Sequence, residues 1–211
     1  MSEQIPLNMA EEPPARGERS DAVANRQRIL AVARELFATR PPERINMSDI
    51  VEKAGIGRGT LYRNFPTKGE ICLALIDEEI AAFQDDVLKN LREMTMQGAT
   101  PLQKLDVFLD ALVHFTAVHN PLLREAQRHG HNFFDKKMTP QFWQHATVNG
   151  LLETAVAAGQ LPPDLDTVYL ADLFLASLSA QIFHFQQEER GYTTEQISQK
   201  LRALLRNLQC R

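Results

Sequence analysis

Apolar positions recur along this chain at three- and four-residue spacing and almost nowhere in strict alternation. Ile29, Val32, Ala33, Leu36 and Phe37 form one stripe and predict a helix over 22–39, closed by Pro41 and Pro42. Ile50, Val51 and Ala54 mark a second, short helix that ends at Gly55. Asn46 suits its N-cap, and Asp49 three residues on makes a near capping box. Leu61 and Phe65 share one face of a third helix, which starts near Gly57 and is stopped by Pro66. Ile56 is a lone apolar residue in the turn, placed to wedge between the two short helices. Two helices joined by a short glycine turn form the arrangement whose second helix enters the major groove of DNA.

The remainder also reads as helix after helix. Ile76, Ile80, Phe83, Val87 and Leu91 mark a long one from Pro66-Thr67 to about Met94. Leu102, Leu105, Phe108, Leu112 and Phe115 mark another over 101–118. Asn120-Pro121 predicts a break, with a short helix over 122–129 beyond it. A helix from Thr139-Pro140 to Ala158 should turn Phe142, Ala146, Leu151, Leu152 and Ala155 inward. From Asp164 or Asp166 to Glu189 a single helix is expected, apolar nearly all round between Val168 and Phe185 and therefore buried on most sides. Thr193 or Thr194 caps the last helix, with Ile197, Leu201, Leu204, Leu205 and Leu208 on its stripe. No run reads as a strand. The expectation is an all-α protein with a flexible arm over 1–22, a helix-turn-helix head over 23–70 and a larger body over 71–211.

Composition sharpens this picture. Hydrophobic residues make up 44% of the 211, enough for a real core. Net charge is −4, but 16–70 holds 11 Lys/Arg against 7 Asp/Glu, so a basic head sits on an acidic body. Arg16 and Arg19 put positive charge in the arm as well. The two cysteines, Cys72 and Cys210, suit a reducing cytoplasm rather than a disulfide framework. The most apolar run, Tyr169 to Phe185, is shorter than the roughly 20 residues of a spanning helix and carries Asp172, Gln181 and His184. A membrane protein is not expected, and the start of the chain lacks a signal-peptide pattern. His129 and His131 near Asp135 do not have diagnostic metal spacing. No nucleophile elbow, Walker-type loop or HExxH occurs, so neither an enzyme nor a cofactor is expected.

The segments AGI (Ala54 to Ile56) and GTLY (Gly59 to Tyr62), with Phe65, Lys68 and the preceding RILAVARELFATR, resemble the DNA-binding signature of the TetR family of bacterial transcriptional regulators. The likeness covers about Asn25 to Ile76; beyond it only length and helical pattern agree. Asn46, Gly57, Asn64 and Gly69 stand where the family more often has Thr, Ser, His and Glu, so the resemblance does not extend to an operator sequence.

The resemblance implies about nine helices, a homodimer built through the last two long helices, a small-molecule pocket in each body and release from DNA when it fills. The outward polar face of the third helix is then the DNA-reading surface. Thr60 and Tyr62 are expected at base edges or phosphates, Arg63 and Asn64 at base or backbone, and Arg58 alongside them. Gly59 allows close backbone approach, while Ser48 and Lys68 are expected to meet phosphate. Phe108, Phe115, Trp143 and Phe174 are the candidate pocket lining, which points to a largely apolar or aromatic effector. Leu175, Leu178, Ile182, Leu201 and Leu205 are the candidate dimer interface. The partners expected are a roughly palindromic double-stranded operator, a small-molecule effector and a second copy of the chain. Two alternatives stay open: a regulator with no small-molecule ligand, and an all-α small-molecule-binding protein that does not bind DNA.

Overall fold

A computed structural model of the chain describes residues 16–130 and 140–208. Among them are nine α-helices and no strand. Expectations placed on the arm before residue 16, and on His131, Asp135 and Cys210, lie outside the described residues.

Three helices make the head. α1 (Arg16–Thr39) begins earlier than its apolar stripe, inside the stretch expected to be arm. α2 (Met47–Ala54) ends at Gly55, whose φ of 62° is the left-handed conformation that L-residues avoid. The Asp49 carboxylate accepts the Asn46 backbone N–H at 3.0 Å, as the near capping box requires. α3 (Arg58–Asn64) follows from Gly57 as N-cap. Ile29, Ile50, Leu61 and Phe65 close the head's core, with Phe37 and Ile56 only half-buried at its margin. Two contributions were not anticipated. Ile45, in the irregular link after a 3-10 turn at Pro42–Arg44, is fully buried. The first turns of α4 (Lys68–Met96) supply Ile71, Ala74 and Leu75, so the head's core continues past residue 70.

The body is arranged around α5 (Pro101–Arg128), which packs against α4, α6 (Pro140–Ala157), α8 (Ala180–Glu188) and α9 (Thr194–Asn207). α7 (Thr167–Ala176) reaches the core through α6, to which Ala171 and Phe174 bring its buried side. The predicted total of nine was reached by a different division of the chain. Pro121 does not break α5; the helix runs on to Arg128, giving up only the hydrogen bond that a proline nitrogen cannot donate. The helix expected over 164–189 is instead divided at Ser177–Ser179 into α7 and α8, which meet at 53°. No single described helix is long and apolar enough to cross a membrane. In α6 the inward stripe is Val148, Leu152 and Ala155; Phe142 and Ala146 face outward. α9 is fastened to α5 by Arg202, which donates to the Asp106 and Asp110 carboxylates, the latter also accepting the Ser198 hydroxyl.

Candidate nucleic-acid interface

α3 presents its polar side outward because its two apolar residues are spent inward: Leu61 is 0% exposed and Phe65 1%. Arg58, Gly59, Tyr62 and Arg63 are exposed, Tyr62 to 50%, with Ser48 exposed at the start of α2. Thr60 and Asn64 are half-buried. The Asn64 amide donates to the Thr60 carbonyl at 2.9 Å and the Arg63 Nε–H to that of Gly59 at 3.2 Å, so both side chains lie back along their own helix. A Cβ built on Gly59 would meet nothing within 4 Å, so the backbone there is open to close approach. Arg26 lies over the Phe65 ring at 4.3 Å and donates to the Asn64 carbonyl at 3.4 Å, tying α1 to the end of α3. Nothing in the spacing of the chain singled out Arg26.

Lys68 departs from its expected role. It is 8% exposed and its ammonium points into the protein. Two of its protons go to the carbonyls of Pro42 and Ile45, at 2.7 and 2.8 Å, and a third contact is the Glu125 carboxylate at 2.8 Å. An ammonium has three donors, and all three have partners here. Lys68 therefore joins the head's loop to α5 of the body and does not reach phosphate in this conformation. Glu125 also accepts from His129 at 3.2 Å and pairs with Arg128 at 3.4 Å. Burial pushes the Glu125 carboxyl up, but the Lys68 hydrogen bond and charge, with His129, outweigh it and hold the group below its ordinary 4.5.

The pattern of Gly55, the outward face of α3 and the buried Leu61 and Phe65 can now be set beside known proteins. Residues 29–75 match the family model described as bacterial regulatory proteins, tetR family. An HTH-type transcriptional regulator of Staphylococcus aureus strain bovine RF122 / ET3-1 is 30% identical over 177 residues, covering 84% of this chain and 90% of its own. The chain belongs to the tetR family of bacterial regulatory proteins. It is a helix-turn-helix transcriptional regulator. Solved structures share its fold. A TetR-family regulator from Pectobacterium atrosepticum superposes with a TM-score of 0.68 at 22% identity, over 92% of this chain and 98% of that one. FadR from Bacillus subtilis, solved in complex with stearoyl-CoA, gives 0.60 at 18%, over 85% and 96%. A regulator from Saccharomonospora viridis in complex with choline gives 0.61 at 18%, over 90% and 100%.

In the body of this regulator, three of the four candidate pocket residues come together. Phe108 meets Trp143 edge-on at 5.6 Å, and Phe115 stacks on Phe83 at 4.5 Å. Phe83, from α4, also meets Trp143 at 6.2 Å and so completes the group. It stood on the predicted stripe of its helix but was not singled out. Phe174, 2% exposed, belongs to the same core but makes no ring contact with them. His119 packs on Phe115 at 4.3 Å, and burial lowers its pKa against the pull of Glu79.

The interface candidates need correction. Leu178, Leu201 and Leu205 are 8, 6 and 1% exposed, because the α7–α8 bend and the Arg202 ties turn them into the protomer's own core. Leu175 is half-buried, and only Ile182 stands out, at 43%. The apolar residues of these helices that do face outward are Val168, Tyr169, Leu173, Ile182, Phe185 and Leu204. No group of three or more metal-ligating side chains occurs among the described residues.

Removing one partner from a buried ion pair costs more than the pair itself supplies. Glu125→Gln is therefore expected to lose about 3 kcal/mol in urea unfolding at pH 7. The Glu125 carboxyl is depressed in the fold, so its contribution is complete above pH 4.5 and drains as pH falls through the folded value. The gap between wild type and Glu125→Gln should accordingly narrow below pH 4.5. A gap that is absent at pH 7, or constant on acidification, would overturn this account of the joint.

Proposed function

We propose that this regulator is a homodimeric repressor acting in the cytoplasm, released from a roughly palindromic operator by an apolar or aromatic molecule bound in the body. The observation that carries this reading is the double duty of α4. Its first turns give Ile71 and Leu75 to the head's core, and two turns on it sets Phe83 against Phe115 and Trp143. A molecule that wedges among these rings shifts α4, and a shifted α4 carries the recognition helix with it. Neighbours of the same fold solved in complex with stearoyl-CoA and with choline support a small-molecule effector. A ligand favouring the arrangement with displaced heads draws the population away from DNA by its difference in affinity for the two states.

Recognition is assigned to the exposed face of α3. Tyr62, Arg58 and Arg63 meet the groove and its phosphates, with Ser48 supporting from α2; Thr60 and Asn64 reach base edges once Asn64 exchanges its intrahelical bond for one to DNA. The outward apolar face of α7, α8 and α9 is assigned to the second copy, in place of the core leucines. Two copies place two recognition helices about one or more DNA turns apart.

Each part has its own test. Tyr62→Ala should weaken operator binding at least about tenfold in a gel shift, without change in far-UV CD, and wild-type binding should fall steeply with salt as counterions are released. Undiminished binding by the variant, or a flat salt response, would remove α3 from the interface. Leu173→Glu with Ile182→Glu, both at exposed positions, should yield a folded monomer by light scattering; a persistent dimer would place the interface elsewhere. Trp143 is the chain's single tryptophan, so its emission reports on the ring cluster alone. Compounds that release the operator should change that emission with the same midpoint, and Phe83→Ala should abolish both responses. Release without any change at Trp143 would sink the body-pocket assignment.

A further inference from the structure

A cleft of about 750 Å³ lies where head and body meet, adjoining the ring cluster through His119, which packs on Phe115. Its head side is formed by α1 and the 3-10 turn, including Phe37 and Arg40; its body side by α5 and α8, including Leu122, Arg124 and His184. The walls differ in how their charges are used. On the head side Arg34 is paired with Glu78 at 2.6 Å and Arg40 with Asp49 at 3.9 Å. Three acids, Glu43, Glu79 and Glu188, also line the cleft and are exposed. Arg124 is different. It is half-buried, and among the described residues no carboxylate pairs with it and its one hydrogen-bond partner is the Nδ1 of His184, at 3.1 Å.

A guanidinium can only donate, so the Nδ1 of His184 is the acceptor in this contact. Arg124 thus offers guanidinium donors that no carboxylate takes up among the described residues. Beside it the polar backbone of α5 is under-used. Pro121 has no N–H to give to the Ala117 carbonyl, and the Asn120 amide oxygen, in a residue 4% exposed, has no partner among the described residues. Ala117, Asn120 and Pro121 all line the cleft. Partly desolvated guanidinium donors favour a carboxylate, which they hold in two parallel hydrogen bonds. The flanking Phe37, Pro121 and Leu122 offer apolar surface to the rest of such a molecule.

We propose that this cleft is a second small-molecule site, which takes an amphipathic organic anion with its carboxylate on Arg124 and His184 and its apolar part between Phe37 and Leu122. The occupant touches both head and body. It therefore favours the head–body arrangement seen here and opposes a ring-cluster ligand, which favours displaced heads.

The test uses the full-length protein, with 2-naphthoate and the neutral, equally shaped 2-naphthamide as probes in isothermal titration calorimetry. Wild type should bind the carboxylate about tenfold or more tightly than the amide, as expected of a charge-assisted contact. Arg124→Gln should erase that preference, whereas Phe83→Ala, in the ring cluster, should keep it. Ala38→Trp, at an exposed position on the head wall, narrows the cleft while leaving Arg124 in place and should also erase it, which guards against a fold defect in the first variant. Equal binding of the two probes, no saturable binding of 2-naphthoate below about 1 mM, preference retained in Ala38→Trp, or preference lost in Phe83→Ala would each overturn the proposal.

Discussion

The ammonium of Lys68 holds this molecule's two halves in register. It sits at the first position of α4, takes two carbonyls from the loop before α2 and a carboxylate from α5, and is almost wholly out of water. Such a group is costly to bury and worth its cost only when every proton is used. Here that condition is met by three separate elements, so the position of each is fixed relative to the others. The loop that carries Ile45 cannot drift, the head's core stays closed over Ile71 and Leu75, and α5 is anchored at its C-terminal end. The pair contributes more to geometric definition than to net stability, which a well-packed apolar replacement could match.

From this joint two helices diverge, and each links distant chemistry. α4 leaves the head and reaches the aromatic rings; α5 runs beside it, carrying Phe108 and Phe115 on the way and Arg124 and Glu125 near its end. A disturbance at the rings and a disturbance at the junction therefore act on the same pair of rods. Pro121 falls between those two places, where α5 gives up one internal hydrogen bond while keeping its course.

The residues that form the head were largely legible because their information is local. Gly55, the 61/65 pair and Pro66 fix a turn, a face and a stop within a dozen positions, and the structure follows them. What sequence reasoning missed depends on long-range partners. Lys68 reads as a cation beside the recognition helix until its partner, 57 residues away, is known. The α7–α8 division was hidden because its apolar run has no Gly or Pro, only Ser177 and Ser179. The same run is apolar on nearly every side, so periodicity could not say which leucines face inward. Leu178 and Ile182 share a stripe one turn apart, yet they are 8% and 43% exposed because the bend separates them. Pro121 misled in the opposite sense: its helix-breaking tendency was overridden by packing against four neighbouring helices.

Cys72 lies one turn beyond Lys68, fully enclosed, and burial together with the Glu125 charge pushes its thiol up to about 12. A thiol in that state has neither the thiolate nor the access that oxidants and alkylating agents need. The joint is therefore deaf to the redox state of its surroundings for as long as it stays shut. Reaction at this sulfur requires local opening of the surrounding structure first.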